Sequence, residues 1–409
     1  MDLEQTLEQI PPEGDPIINF RLTPEEFEEA VDTHGRERED WLGDLREKHI
    51  EPTERQAALV EEVFSAIEEK LSSYSFDIPA VRRSRPDILF LSRKDYWKEK
   101  YGKEEDSKNP DTLGYFDPNT NTVILWYKQT AWGKDQRNQE FLHILTHELL
   151  HAYSLRIMQA YKGKEREEFR EGEPLLSAHR VGMYLYKLGM PKKERFCGLD
   201  EALTEDLAVE VTNSIINSRR IGEFESVIQD QIRYLMGQRR DNPVKQRLVS
   251  LGYRSKLPNR YWGPDCDRWF RERHPEDMNK QSGDSIRLAH LDEFEREVEG
   301  MREQNAKIIE TILSEGYEYQ YPSVHQAYRK ERKVLDRLIM VLARQCSEYK
   351  GKEEELRKIF YEAKFSGSMV KLGRLIERTL GKGTFRLIAE DFLGADLQDR
   401  LRLYKKKGQ

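Results

Sequence analysis

The chain has 409 residues, of which 35% are charged and 37% apolar, and its mean hydropathy is −0.84. No run approaches the roughly 20 apolar residues of a membrane span, and the opening MDLEQTLEQIPPEGD lacks the basic start and apolar stretch of a signal peptide. Cys197, Cys266 and Cys346 lie far apart and suit neither a disulfide framework nor a cysteine-rich metal module, so a membrane-free protein of a reducing cytoplasm is expected.

The net charge of −7 divides unevenly: residues 1–70 hold 21 acids against 7 bases, and the remainder carries a small positive excess. An acidic arm ahead of a mildly basic body is the expectation for such a split. Two readings of residues 1–70 follow: a solubilising, partly disordered arm, or a shield that docks over a cleft in the body.

In chain order, Pro11, Pro12, Gly14 and Pro16 predict an extended lead. Thr23-Pro24-Glu25-Glu26 reads as a helix start, with Thr as N-cap, Pro in the first turn and acids beside the helix dipole. Thr53-Glu54-Arg55-Gln56 has the capping-box pattern, followed by Leu59, Val63, Phe64 and Ile67 at helical spacing. The run 88–91 predicts a strand. Gly114-Tyr115-Phe116 and 122–127 flank the turn formers of 117–121, the best hairpin signal in the chain. From about residue 136 onward nearly everything reads as helix, beginning with one whose apolar residues cover more than one face and which should therefore be buried. Residues 241–285 read as a long loop. Two later stretches, Leu291 to Ile312 and Val324 to Leu342, could pair as a helical hairpin.

The chemistry concentrates in His147-Glu148-Leu149-Leu150-His151. Residues i and i+4 of a helix share a face, so both imidazoles can reach one metal ion, and Glu148 can approach a water held there. Neutral imidazole suits Zn²⁺, which lowers the pKa of its water to roughly 7 and makes a carboxylate base effective. A metzincin needs a Gly and a His three and six residues beyond His151; Ser154 and Ile157 stand there, which excludes that class. For the third ligand the best offer is Asp200-Glu201-Ala202-Leu203-Thr204-Glu205, where Asp200 can cap a helix and Glu201 and Glu205 share a face. Glu201 is then the candidate ligand and Glu205 an acceptor for a ligand histidine's other N–H. His179 is the rival third ligand, in a pattern resembling SprT-like zinc proteins. His143, one turn before His147 on the same face, reads as an ordinary helix histidine or, less often, as a partner behind the ligands. Cys266 and His274 are too poor in partners for a second metal site. Tyr184, Tyr186 and Tyr234 are candidate donors to a reaction oxyanion, and 122–127 is either a sheet edge for an extended peptide or an ordinary central strand.

Together these motifs resemble the gluzincin metallopeptidases, over residues 113–215 at most. The resemblance implies one zinc ion held by His147, His151 and Glu201, with Glu148 as catalytic base and Glu205 behind the ligands. Asp200 stands where the family has Asn, and Ala202 where its aminopeptidases have Gly. The implied fold is α+β: a zincin-like catalytic domain with a small antiparallel sheet and an active-site helix, followed by a mainly helical C-terminal region. The corresponding division is an acidic arm over 1–52, the catalytic domain over 53–240, a loop or insertion over 241–285 and helices over 286–409. The implied activity is hydrolysis of a peptide or protein substrate by a metal-activated water. A zincin scaffold serving as a binding or regulatory protein through its helical C-terminal half is the alternative. Arg239-Arg240 and Lys405-Lys406-Lys407 are short and lack interleaved aromatics, so no nucleic-acid partner is expected.

Overall fold

In the computed structural model the described residues are 17–19, 22–74, 85–102, 113–126, 135–162, 174–185, 195–218, 243–253, 271–273, 291–315 and 328–407. They form a mainly helical α+β structure with two small sheets. Two compact units are present: residues 1–218 with 321–409, and residues 219–320.

Both predicted N-caps are realised. Thr23 and Thr53 each close a full capping box, with Glu26 and Gln56 at the third helical position, and start helices α1 (Pro24–Glu47) and α2 (Glu54–Ser72). α1 carries much of the acidic charge, yet it is built into the body. Its Leu42 and Leu45 enter a core cluster with Leu89, Leu91, Tyr96, Ile124 and Trp126, and its Ala30 packs with Leu22 and Ala160. α2 buries Leu59, Val63, Phe64, Ile67 and Leu71 and packs against helices α4 (Asp135–Tyr153) and α5 (Cys197–Ser218).

The predicted hairpin forms. Strand β3 (Gly114–Asp117) pairs antiparallel with β4 (Thr122–Trp126), and β2 (Asp87–Leu91) joins β4 in parallel on its other side. Asn121 takes the left-handed turn conformation at φ 55°, and Asp117 accepts the Thr120 N–H at 3.1 Å. The strand proposed as a free edge, 122–127, is thus the central one: every described residue of β4 is buried and both its sides are paired. The outer strands of this sheet are β2 and β3. Helix α3 (Arg93–Tyr101) begins just after β2.

The expectation of helix from residue 136 onward needs correction. After α4, strands β5 (Arg156–Lys162), β6 (Pro174–Val181) and β7 (Tyr184–Leu185) form an antiparallel run, with β1 (Ile17–Asn19) added parallel to β5. One of its pairings, that of β5 with Ile17–Asn19, is far from local, and helical periodicity and strand character compete in the sequence of the segment. The turn into β7 uses Gly182 at φ +58°, a left-handed conformation that favours glycine.

The C-terminal helices of the first unit are α8 (Arg329–Gln345), α9 (Glu353–Phe365), α10 (Met369–Leu380), α11 (Thr384–Glu390) and α12 (Ala395–Lys407). α8 packs on α5, with Leu335, Leu338 and Leu342 fully buried. In the second unit, α6 (Pro243–Ser250) and α7 (Leu291–Ser314) are in contact, and Arg247 pairs with Glu315. The predicted loop over 241–285 therefore contains a helix at its start; most of 254–290 lies outside the described residues. The two stretches expected to pair as a hairpin fall in α7 and α8, in different units. Among the described residues no helix is long and apolar enough to cross a membrane.

Candidate metal centre

α4 and α5 lie side by side and supply the whole cluster. Leu142, Leu145, Leu149 and Leu150 of α4 are fully buried, which fixes the helix so that His143, His147 and His151 point at α5. α5 is buried around nearly its whole circumference, and the polar groups it carries inside are Asp200, Thr204, Glu205, Asp206 and Thr212. Isolated carboxylates are too costly to bury, so each of these must be paired or must serve a cation.

Three side chains converge. His147 Nε2 lies 3.2 Å from Glu201 Oε2, His151 Nε2 lies 3.4 Å from the same oxygen, and the two Nε2 atoms are 3.3 Å apart. Zinc bonds of about 2.0–2.1 Å in a tetrahedral arrangement separate ligand atoms by roughly 3.3–3.4 Å. The triangle therefore has the edge lengths of a tetrahedral face, and two imidazoles with one carboxylate are a donor set that suits zinc. His147, His151 and Glu201 could hold a metal ion.

Behind this triangle each histidine meets a further acid. Glu205, without exposed surface, has Oε2 3.1 Å from His147 Nδ1 and also meets His143 Nε2 at 3.1 Å. Asp200 Oδ2 lies 3.4 Å from His151 Nδ1, while its other oxygen accepts the Met183 N–H at 2.8 Å. Asp200 is thus inside the first turn of α5, which starts at Cys197, and not the cap expected from sequence. Of the two readings of His143, the partner behind the ligands is the one that fits, since it shares Glu205 with His147.

The electrostatics favour a cation. Burial alone would lower the imidazoles, but Glu201 and Glu205 outweigh it and push His147 up to about 10; Glu201 and Asp200 raise His151 in the same way. Burial would raise the acids, yet the facing imidazoles hold Glu201 well below the carboxylate range and Glu205 at about 2. Lys364 and then His151 likewise lower Asp200 against its burial. With Asp200 balanced by Lys364, the carboxylates of Glu201 and Glu205 leave a charge that protons on the imidazoles meet here and that a divalent ion can meet in their place.

A cavity of about 230 Å³ opens on the cluster, lined by His147, Glu148, His151 and Glu201 on one side and by Gly114, Tyr115 and Phe116 of β3 on another. Glu148 thus lines the same cavity as the three candidate ligands. No residue of the 1–70 segment lines this cavity among the described residues, which leaves the shield reading without a described contact. Tyr184 does line it; Tyr186 and Tyr234 lie outside the described residues, as do Cys266 and His274. His179 is on β6, and its side chain also falls outside the described residues.

Two participants were not anticipated. Tyr328, just before α8, stacks on His147 with ring centroids 5.5 Å apart at 11° and lines the same cavity as Glu201. It holds a left-handed backbone at φ 48°, an uncommon conformation for a bulky residue. Burial and then the charges of Glu201 and Glu148 raise its pKa. Lys364 of α9 has no exposed surface and its ammonium lies 2.8 Å from Asp200 Oδ2. Its sequence signal is a lysine in the buried row Leu356, Phe360, Lys364; nothing comparable marks Tyr328.

No family model matches the chain, and no curated protein or solved structure matches it either.

Proposed function

We propose that this chain is a zinc-dependent peptidase of the zincin type, with His147, His151 and Glu201 as ligands and Glu148 as general base. One observation carries the reading: the three donor atoms are spaced as a tetrahedral face, and Glu148 lines the same cavity. Zinc, when bound, supplies a Lewis acid that polarises a carbonyl and makes a water nucleophilic near neutral pH. Glu148 then takes the proton of the attacking water and delivers it to the leaving amine. Glu205 and Asp200 orient the two imidazoles from behind. β3, the outer strand beside the cavity, offers backbone groups to an extended peptide. Tyr328, which stacks on His147 and lines the cavity, takes the oxyanion role that sequence left open between three other tyrosines.

The peptide-bond assignment is tested by a peptide-library digest with the chain as purified, after chelation, and after return of zinc. Cleavage that vanishes on chelation and returns with zinc supports it. A zinc-loaded chain that cleaves nothing in the library contradicts it.

A further inference from the structure

Beyond the ligands, the buried pair Lys364–Asp200 has no evident structural purpose of its own. A fully buried ion pair contributes little net stability compared with a hydrophobic pair of similar volume, because desolvation offsets the attraction. Yet this one is closely built. Lys364 and Asp200 have almost no exposed surface, and their charges meet at 2.8 Å. The backbone around them is pinned: the Leu155 N–H donates to the Lys364 carbonyl at 3.4 Å, and Arg180 donates to the Ala363 carbonyl at 3.3 Å. Gly182 leaves the space that the pair needs, since a Cβ there would lie 2.4 Å from Asp200 Oδ1 and 3.1 Å from Lys364 Nζ. The oxygen of Asp200 that Lys364 holds is the one facing His151 Nδ1.

A neutral imidazole that offers Nε2 to an ion carries its proton on Nδ1, and an acceptor there fixes both tautomer and ring orientation. For His151 that acceptor is Asp200, and its oxygen is held from behind by a lysine 164 residues further along the chain. We propose that Lys364 is a positioning residue that fixes Asp200 for His151, so that the C-terminal helix α9 sets the metal affinity of a site it does not enter. This rests on the metal reading of the His147–His151–Glu201 cluster. It also assigns a role to C-terminal helices that the hydrolytic chemistry alone does not require.

The test uses the full chain and zinc alone, measured by competition with a chelating dye. Lys364→Met is expected to bind zinc about 10–100-fold more weakly than wild type, the range typical of residues behind a ligand. Asp200→Asn should lose a similar amount. The double variant should be no weaker than Asp200→Asn, because Lys364 acts through Asp200. The cobalt-loaded forms of both single variants should show the same shift of their visible absorption. Arg357→Met is the structural control: it removes a contact from α9 to Asp206 of α5 without touching Asp200, and should leave affinity within about twofold. If Lys364→Met does not fold, Lys364→Gln, which keeps a neutral donor, should give an intermediate loss. Wild-type affinity in the Lys364 variants, additive losses in the double variant, or an equal loss in Arg357→Met would overturn the proposal. A wild-type chain that takes up no zinc would instead overturn the metal reading beneath it.

Discussion

Gly114 offers a sharp test of how β3 is placed against the cavity. It pairs with Leu125 across the hairpin, and a Cβ added there would lie 2.6 Å from Leu125 Cδ2, 3.1 Å from Ile144 Cγ2 and 3.4 Å from Glu148 Cγ. The first distance is inside contact range, and Leu125 is only 1% exposed, so it has no solvent to swing into. Gly114→Ala must therefore move β3 away from α4 or repack Leu125. Overpacking of this kind costs about 1–3 kcal/mol, which lowers the midpoint of thermal unfolding by a few degrees at roughly 2–4 °C per kcal/mol. Because Glu148 is among the neighbours, the displaced strand should also raise KM for a cleaved peptide, with a smaller effect on kcat. Circular dichroism melts with zinc and with chelator, beside steady-state kinetics, read both effects. A midpoint within a degree of wild type together with unchanged kinetics would refute the close packing of β3 on α4.

Other outcomes follow from the same geometry. Glu201→Ala should lose zinc almost completely at micromolar protein, measured by metal analysis after dialysis; full occupancy would favour another third ligand, His179 first. Tyr328→Phe should lower kcat roughly 10–100-fold with KM little changed if its hydroxyl meets the developing oxyanion, whereas unchanged kcat would reduce it to a packing residue. Zinc must displace protons from imidazoles whose pKa is raised, His147 to about 10, so affinity should rise about tenfold per pH unit for each proton displaced between pH 7 and 9; a flat series contradicts this. The metal-free fold runs the other way: stability from the protonated His147 is complete below its ordinary 6.5 and lost as pH rises through about 10, visible in melts under chelator.

Much of the local structure was legible because its causes are local. Thr23 and Thr53 announce their helices through capping boxes, the 117–121 turn announces its hairpin, and the apolar crowding around His147 announces a buried helix. The spacing of His147 and His151 needed only helical geometry. Glu201 and Glu205 followed from asking what such a pair lacks, and both meet the α4 histidines. What stayed hidden depends on distant partners. The sheet of β5 to β7 is completed by β1 at Ile17–Asn19, far outside any window of sequence around it. Charge made residues 1–52 look like an arm, but Leu42 and Leu45 of α1 answer to Leu89 and Ile124 in the core. Asp200, Tyr328 and Lys364 take their roles from a crossing of α5, α8 and α9 that residue spacing does not encode.

The central claim is a hydrolytic zinc site whose base is Glu148, and it is tested most directly by Glu148→Gln measured for zinc content and peptide cleavage in parallel. Glu148→Gln should hold one zinc per chain, as in wild type, with hydrolysis reduced by about 10²–10⁴-fold. Undiminished cleavage by a variant that still holds its zinc would contradict it.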